Sequence, residues 1–280
     1  MPEEKAFAGI VIAASTNDTA GLTLANELKR LGNFFQTSHA KDSDTSFNSE
    51  EFGNITMHLS SNSALNMDYL DTTYPESEAF IFLSKHQSES GIPALTCHSV
   101  GNFSDSLYGG RPGELGIAFP SLQKNYMIEL SKRSQSVQDY EIVIEATHHG
   151  PTSLAKPAIF IELGSSDEQW HDKVAAAAIC KSLVSAIRTK SSSLIKVAIC
   201  LGGTHYPAKF NKLLMESDFS FGAVASKHNL DSVDEQMLHQ MINKSVEPVT
   251  HVIVDSKGLG NQKDRILNLV NDCGLPVVML

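Results

Sequence analysis

The sequence of 280 residues predicts an α/β fold, a single three-layer α/β/α domain covering residues 1–280 and built around a mainly parallel, mixed sheet. Short apolar runs of strand length alternate with longer segments whose apolar residues recur at helical spacing. Most of the short runs are continuously apolar, which is typical of strands buried on both faces of a sheet. Neither an internal repeat nor a sharp linker divides the chain, so we expect one domain and a monomer.

The first pair of elements is a βα unit. Residues 7–14 are a continuous run of β-branched and small apolar residues, which predicts a buried strand. The helix that follows carries an apolar stripe of Gly21, Leu24, Ala25, Leu28 and Leu31. Asp18 or Thr19 is expected to cap its start, and Gly32 stands where a left-handed residue would end it.

The middle of the chain contains shorter elements and two polar segments. Residues 38–50 are polar and aperiodic, and they predict a surface loop inserted after the first unit. Strands are expected at 55–59, 79–83 and 94–97. The segment 102–116 is rich in Gly and Pro and long enough to act as a functional lid. Leu122, Tyr126, Met127 and Leu130 then mark a helix.

The second half repeats the alternation more clearly, with strands expected at 141–146, 158–163, 196–201, 220–225 and 251–254. Residues 166–169 form a capping-box sequence that predicts the start of a long helix. Its stripe is Ala176, Ile179, Cys180, Leu183, Val184 and Ile187. A second such sequence at 232–235 precedes another helix. The last helix carries Ile266, Leu269 and Val270 and is expected to stop at Gly274.

Composition excludes several classes of protein. A hydrophobic fraction of 41% excludes disorder, and a net charge of −10 argues against a broadly basic, nucleic-acid-coating surface. The apolar run at 6–14 is too short to span a bilayer and lacks the basic flank of a signal peptide. Four cysteines without a C-x-x-C pair indicate reduced thiols in a cytoplasmic protein.

Histidines and carboxylates follow five predicted strands, and this is the most informative feature of the sequence. Ligands of open α/β sheets gather outside the carboxyl ends of the strands. The polar residues at these ends are His98 and Ser99, then Glu145, Thr147, His148 and His149, then Glu162, then Thr204 and His205, and finally His228. The sequence therefore predicts a polar site where these ends meet.

A single histidine at a strand end is more often a hydrogen-bonded structural residue than a ligand. For the set the balance reverses, because buried polar groups that point into one crevice need partners. Neighbouring side chains of an extended segment alternate in direction, so only one of His148 and His149 is expected to enter the site. We choose His148, and His149 is expected to support it.

Imidazoles and carboxylates without paired thiolates suit a catalytic zinc ion with an open position. Such an ion lowers the pKa of a bound water to roughly 7. The expected ligands come from the set His98, His148, His149, Glu162 and His205, with His148, His205, Glu145 and Thr147 as catalytic residues. The sequence motifs of zincins, serine hydrolases and P-loop proteins are absent.

Two further features have a functional and a structural interpretation. The turns at Gly202, Gly203 and Thr204 and at 164–166 could present N–H groups to a phosphate or an oxyanion, or could simply be tight turns. A local basic patch could hold RNA, although each side chain alone is more often part of a solvated face. Its expected members are Lys124, Lys132, Arg133, Lys156, Arg188, Lys190 and Lys196.

The sequence resembles the D-aminoacyl-tRNA deacylase family of the archaeal and plant type. The segments that carry the resemblance are CHSVGN at 97–102, EATHHGPT at 145–152 and GGTHYPAKF at 202–210. STNDTAGLTLANEL at 15–28, FIELGSS at 160–166, ASKH at 225–228 and VDSKGL at 254–259 follow in the family's order. The resemblance therefore covers nearly the whole chain.

The resemblance implies hydrolysis of the ester between a D-amino acid and the terminal adenosine of tRNA, a proofreading reaction that also extends to aldehyde-modified substrates. It implies zinc dependence and a fold related to phosphorylase and peptidyl-tRNA hydrolase domains. Substrate contacts are expected from His98, Ser99, Gly202, Gly203, Thr204 and Lys156. A nucleoside phosphorylase or nucleosidase and a non-catalytic tRNA-binding protein are the alternatives, because fold alone does not choose among them.

Overall fold

The computed structural model describes residues 9–39, 44–53, 55–189 and 195–280. The strands are β1 (Ile10–Ser15), β2 (Phe34–His39), β3 (Thr45–Ser49), β4 (Ile55–Ser60), β5 (Ala79–Gln87), β6 (Ala94–Ser99), β7 (Glu141–Ile144), β8 (Ala158–Ser165), β9 (Lys196–Leu201), β10 (Phe219–Ala225), β11 (His251–Val254) and β12 (Val277–Met279). The α-helices are α1 (Thr19–Gly32), α2 (Leu70–Thr73), α3 (Pro120–Ser131), α4 (Asp167–Trp170), α5 (Lys173–Arg188), α6 (Ala208–Glu216), α7 (Glu235–Asn243) and α8 (Lys263–Asp272).

Eight strands form one large sheet in the order β2-β3-β4-β1-β5-β8-β6-β7. The pairs β4–β1, β1–β5, β5–β8 and β6–β7 are parallel, whereas β2–β3, β3–β4 and β6–β8 are antiparallel. The α/β class and the mainly parallel, mixed sheet are thus confirmed. The reversal of β6 against β8 brings the end of β6 beside the first half of β8, which matters for the site.

The remaining four strands form a second, fully parallel sheet in the order β10-β9-β11-β12. The segment that follows β7 joins the two sheets. Thr147 donates its N–H to the Val224 carbonyl at 2.9 Å, and the Thr147 hydroxyl accepts the Val224 N–H at 2.9 Å. The Ala146 N–H donates to the His205 carbonyl at 2.8 Å, which ties the loop after β9 to the same segment.

Helices α1, α3 and α5 pack together on one face of the large sheet, where their apolar stripes form the main core. Val11, Phe80, Phe82 and Phe160 lie on the opposite face, under the segment 64–70. The helix α1 begins as predicted, because the Asp18 carboxylate accepts the Gly21 N–H at 2.8 Å. It ends one residue later than expected, with Asn33 rather than Gly32 in the left-handed conformation.

Three local expectations are corrected. Residues 45–49 are not part of a loop but form β3, which pairs with β2 and β4 at the edge of the large sheet, while 40–43 lie outside the described residues. The capping box at Ser166 opens only the short helix α4, and α5 begins after Asp172, whose carboxylate accepts two N–H groups. Asp234, not Ser232, caps α7.

Within the described ranges, none of the helices combines the length and the apolar character needed to cross a membrane.

Candidate active site

The site is built on one face of the large sheet by the alternation of side chains along three neighbouring strands. Thr96 and Ser84 lie opposite Glu162, His98 lies opposite Phe160, and His86 lies opposite Gly164. Because residues two apart share a face, these polar side chains extend the apolar face formed by Phe80 and Phe82. The polar residues therefore meet on a sheet face as well as at strand ends.

Three histidines converge in this region. The ring centroids of His98 and His148 lie 4.0 Å apart, and that of His149 lies 4.7 Å from His98 and 4.4 Å from His148. One ring nitrogen from each lies within 4.8 Å of the other two. Phe160 packs flat against His98 and edge-on against His149, which limits the freedom of both rings.

Hydrogen bonds on the far side of each ring fix the tautomer of these histidines. The Nδ1 atom of His98 lies 3.1 Å from the Ser99 carbonyl, that of His148 lies 2.8 Å from the Ala146 carbonyl, and that of His149 lies 2.9 Å from the Gly150 carbonyl. A carbonyl only accepts, so each Nδ1 carries a proton. Burial lowers the pKa of His148 and His149, whose Nε2 atoms keep their lone pairs, whereas Glu162 raises the pKa of His98 against the effect of burial. Histidines that ligate metals are oriented in this way.

Both His148 and His149 enter the site, contrary to the expectation from strand alternation. His149 has a φ of 46°, in the left-handed region, and this turns its side chain to the same side as that of His148. Burial lowers the pKa of His149 to about 4 and holds that of His148 well below its usual range, with the neighbouring imidazoles adding to the effect. Both rings are therefore neutral at pH 7 and available as ligands.

Two buried carboxylates lie beside the histidines and share one cation. The Nδ1 atom of His86 lies 3.2 Å from Glu145 Oε1 and 3.4 Å from Glu162 Oε2. Burial opposes charging of His86, but its contacts with both carboxylates outweigh burial and raise its pKa to about 9. Burial also opposes ionisation of Glu162, yet His86 and His98 hold its pKa below the usual range. The imidazoles beside them thus keep both carboxylates, Glu145 and Glu162, ionised.

His205 is oriented by Glu145. Its Nε2 atom lies 2.7 Å from Glu145 Oε2, so the protonated Nε2 donates to the carboxylate and the other ring nitrogen remains a proton acceptor. Contacts from His205 and His86 keep the pKa of Glu145 well below its usual range, although burial opposes this. The adjacent Tyr206 hydroxyl lies 3.2 Å from His86 Nε2. The pair resembles the carboxylate-oriented histidine of acid–base catalysis.

These groups, except the fully buried His98, line a cavity of about 670 Å³, called here the main cavity. Its lining includes Asn17, Asp18, Ser63, Tyr108, Glu145, His148, His149, Glu162, His205 and Tyr206. A small cavity of about 230 Å³ lies on the other side of His148, His149 and Tyr108, and Asn102, Thr147 and Asn229 also line it. The two cavities therefore meet at the histidines.

The predicted lid, residues 102–116, is anchored over this junction. Asn102 donates its side-chain amide to the Gly109 carbonyl at 2.9 Å, and Gly150 donates its N–H to the Tyr108 carbonyl at 3.1 Å. A side chain at Gly109, whose φ is 72°, would collide with the Leu65 carbonyl. Tyr108 is thereby held at the rim, with 67% of its surface exposed.

The structure does not bring every predicted residue to the cavities. The predicted substrate-binding residues that line neither of them are His98, Ser99, Gly202, Gly203, Thr204 and Lys156. The Gly202 N–H is donated to the Ala225 carbonyl at 2.9 Å, so it is not available to an oxyanion. The Ser99 hydroxyl lies 3.4 Å from the Gly222 carbonyl and, like Thr147, links the two sheets.

Three residues of the expected basic patch already have partners within the protein. Lys124 is buried and donates to the main-chain carbonyls of Leu214, Ser217 and Phe219. Lys132 and Arg133 both pair with Glu129. Lys190 lies outside the described residues.

His86, Tyr206 and Tyr108 are site residues that the sequence analysis missed. His86 was missed because β5 was expected to end at residue 83, whereas it continues to Gln87. The alternation of Phe80, Phe82, Ser84 and His86 carries the signal, since it continues one face of the strand beyond the apolar run.

Convergent imidazoles and a carboxylate-oriented histidine beside an open cavity are typical of the active site of an enzyme. Together with the fold, they place the protein in the class of α/β enzymes. The family model described as D-aminoacyl-tRNA deacylase matches residues 73–278. The chain belongs to the D-aminoacyl-tRNA deacylase family.

Curated relatives and a solved structure agree with this assignment. A D-aminoacyl-tRNA deacylase of Cenarchaeum symbiosum is 40% identical over 215 residues, which cover 77% of this chain and 82% of the relative. That of Pyrococcus furiosus is 29% identical over 274 residues, with 96% and 98% covered. A crystal structure titled as a conserved protein of unknown function matches with a TM-score of 0.89, 26% identity and coverage of 97% and 95%.

Proposed function

We propose that the protein hydrolyses the ester bond of D-aminoacyl-tRNA and releases the free D-amino acid and tRNA. The observation that carries the proposal is the convergence of His98, His148 and His149 beside the Glu145–His205 pair, in a chain of the deacylase family. Its relatives bear the name D-aminoacyl-tRNA deacylase over most of the chain. The role would be quality control in translation, carried out in the cytoplasm by a monomer.

The residues present fit a zinc ion. His98 Nε2 is buried and, among the described residues, has no hydrogen-bond partner, since Glu162 Oε1 is 3.7 Å away. A buried polar atom without a partner is costly, and a metal ion bound in place of the Nε2 proton would satisfy it. We propose His98, His148 and His149 as the ligands, with the negative charge of Glu145 and Glu162 favouring a divalent ion. Zinc bound there would supply Lewis-acid polarisation of the ester carbonyl and lower the pKa of water.

The Glu145–His205 pair is proposed to move the proton. Glu145 holds the protonated nitrogen of His205, so the other nitrogen can take a proton from the attacking water. The same nitrogen can return the proton to the ribose oxygen as the ester bond breaks. His86, with its Nδ1 atom against both carboxylates, keeps Glu145 and Glu162 ionised and in place.

The junction of the two cavities suggests how the ester lies. An ester carbonyl at His148 and His149 has a cavity on either side, one for the aminoacyl group and one for the terminal adenosine. In an L-aminoacyl ester the hydrogen and the side chain at the α-carbon are exchanged. The L-side chain would therefore press against a cavity wall, or the ester carbonyl would move away from the histidines. A preference of 10⁴ requires about 5.5 kcal/mol of differential transition-state binding.

The test is hydrolysis of D-Tyr-tRNA and L-Tyr-tRNA by the purified protein under identical conditions, with release of labelled tyrosine as the readout. We expect rapid hydrolysis of the D-ester and little of the L-ester. Equal rates would contradict the proofreading role. Binding of tRNA without loss of ester would favour the non-catalytic alternative, and phosphate-dependent cleavage of adenosine or inosine would favour the nucleoside-cleaving alternative.

A further inference from the structure

Three lysines gather at the carboxyl ends of the second sheet. Lys209 lies in the first turn of α6, Lys227 follows β10, and Lys257 follows β11. We call these residues the lysine cluster. They come from three different segments of the chain, and each is mostly solvent exposed.

The turn at Gly202 and Gly203 and the carboxylate of Asp255 hold the lysine cluster together. The Lys227 N–H donates to the Gly203 carbonyl at 2.8 Å. Asp255, which is buried, accepts from the Lys209 ammonium group at 2.7 Å and from the Lys257 N–H at 3.2 Å. A side chain at Gly202 would approach the Asp255 carbonyl, so the turn and Asp255 are packed closely. The backbone under the lysines is therefore well defined.

The charge of the lysine cluster is not balanced by the protein. Asp255 compensates Lys209, whereas neither Lys227 nor Lys257 forms an ion pair with any carboxylate in the part of the chain described. The protein as a whole has a net charge of −10. Lys227 and Lys257, both exposed and without an ion pair among the described residues, are thus a local exception in an acidic molecule, and they attract an anion.

Two short stretches of chain connect the lysine cluster with the site. His205, two residues beyond Gly203, lines the main cavity, and Asn229, two residues beyond Lys227, lines the small cavity. A substrate whose terminal adenosine enters at the histidines carries its next phosphates just outside the rim. Of the basic residues expected from sequence, Lys124, Lys132 and Arg133 already have protein partners.

We infer that the lysine cluster binds the phosphodiester backbone of the acceptor end of tRNA, next to the terminal adenosine, and so sets the direction from which the strand enters. The inference rests on the proposed function and adds a phosphate-docking surface to it. It also gives the Gly202–Gly203 turn a role, since the turn supports the lysines rather than an oxyanion. Lysine contacts to phosphates release counterions and make binding salt dependent.

The experiment compares the double variant Lys227→Ala/Lys257→Ala with a matched control, Lys173→Ala/Lys181→Ala. Both control lysines are exposed on α5, and the change in net charge is the same. Binding of uncharged tRNA is measured across a salt series, and KM and kcat are measured on D-Tyr-tRNA. The 3′-O-D-tyrosyl ester of adenosine, which lacks phosphates, serves as the minimal substrate.

We expect the double variant to bind tRNA about 10-fold more weakly and the slope of log K against log salt to fall by roughly 1.4, about 0.7 for each contact to single-stranded RNA. KM for D-Tyr-tRNA should rise with kcat and minimal-ester hydrolysis unchanged. If the wild type hydrolyses D-Tyr-tRNA but both double variants bind tRNA equally well and with the same salt slope, the inference is overturned and the proposed function is left intact. Absence of hydrolysis, with tRNA binding and salt slope still reduced only in the Lys227 and Lys257 variant, would overturn the function and support the docking surface.

Discussion

At the scale of single residues, the site depends on what lies behind each imidazole. A main-chain carbonyl holds Nδ1 of His98, His148 and His149, and this leaves Nε2 of each ring as the atom that can bind a metal. His205 has the opposite arrangement, because Glu145 holds its Nε2. Four neighbouring histidines are thereby divided into three metal-ligand candidates and one proton carrier.

Replacement of His98 by Ala tests the ligand assignment. His98 is fully buried, so solvent cannot supply a ligand in its place. Loss of its Nε2 should therefore abolish turnover and release zinc. Metal content is measured by elemental analysis of the purified variant, together with D-Tyr-tRNA hydrolysis. His171→Ala, an exposed histidine outside both cavities, is the control and should retain both. Full activity of the wild type in a chelator, with no metal bound, would contradict the zinc proposal.

Replacement of His205 by Ala tests the proton carrier. Because His205 is not among the three proposed ligands, we expect turnover to fall about 10²- to 10⁴-fold while zinc content stays the same. Glu145→Gln should have a similar effect, since the amide no longer stabilises a charged imidazole. Loss of zinc in His205→Ala would instead assign His205 to the alternative group formed by Glu145, His148 and His205.

Two residues show why the site was only partly predictable. The residue types and the segments that carry them could be read from the sequence, because polar residues at strand ends are unusual in an apolar core. The entry of His149 could not, because it depends on a left-handed backbone angle that local sequence does not specify. The position of His86 depends on β5 being longer than its apolar run.

At the scale of elements, strands buried on both faces were predicted well and the edge of the sheet was not. The strands β1, β5 and β8 are continuously apolar where the core requires it. The hairpin β2–β3 lies at the edge of the sheet, where polar residues such as the half-buried Thr45 and the exposed Asn48 are tolerated. A polar, aperiodic segment at such an edge therefore has the composition of a loop.

Lys124 joins two elements and gives an element-scale prediction. From α3 it donates to three carbonyls at the end of α6 and the start of β10, and burial lowers its pKa. In Lys124→Met the buried carbonyls lose their donor, so the free energy of unfolding should fall by about 2–3 kcal/mol. Urea denaturation measures the change. Lys132→Met, which removes only an exposed pair with Glu129, should change stability by about 0.5 kcal/mol or less.

At the scale of the whole molecule, the division of the strands into two sheets lies beyond what periodicity can show. Apolar runs report that a strand is buried but not which sheet buries it. Here the segment 145–149 lies between the sheets and carries Glu145, His148 and His149. Within the same segment, Ala146 bonds to the loop after β9 and Thr147 bonds to β10 of the second sheet. The single domain and the monomeric state remain predictions.

Thr147 tests this connection, because it was expected to be catalytic and the structure gives its hydroxyl another partner. Thr147→Val keeps the shape but leaves the buried Val224 N–H without an acceptor, so the free energy of unfolding should fall by about 1–3 kcal/mol. Thr147→Ser retains the acceptor and should lose only about 0.8 kcal/mol, the value of one buried methyl group. Well below the unfolding temperature, both variants should hydrolyse D-Tyr-tRNA within about 10-fold of the wild type, since the Thr147 hydroxyl is already bonded to the Val224 N–H. If the rate of D-Tyr-tRNA hydrolysis falls about 10³-fold in Thr147→Val alone while its free energy of unfolding is unchanged, Thr147 is catalytic after all. Its hydroxyl would then serve the chemistry rather than the connection between the sheets.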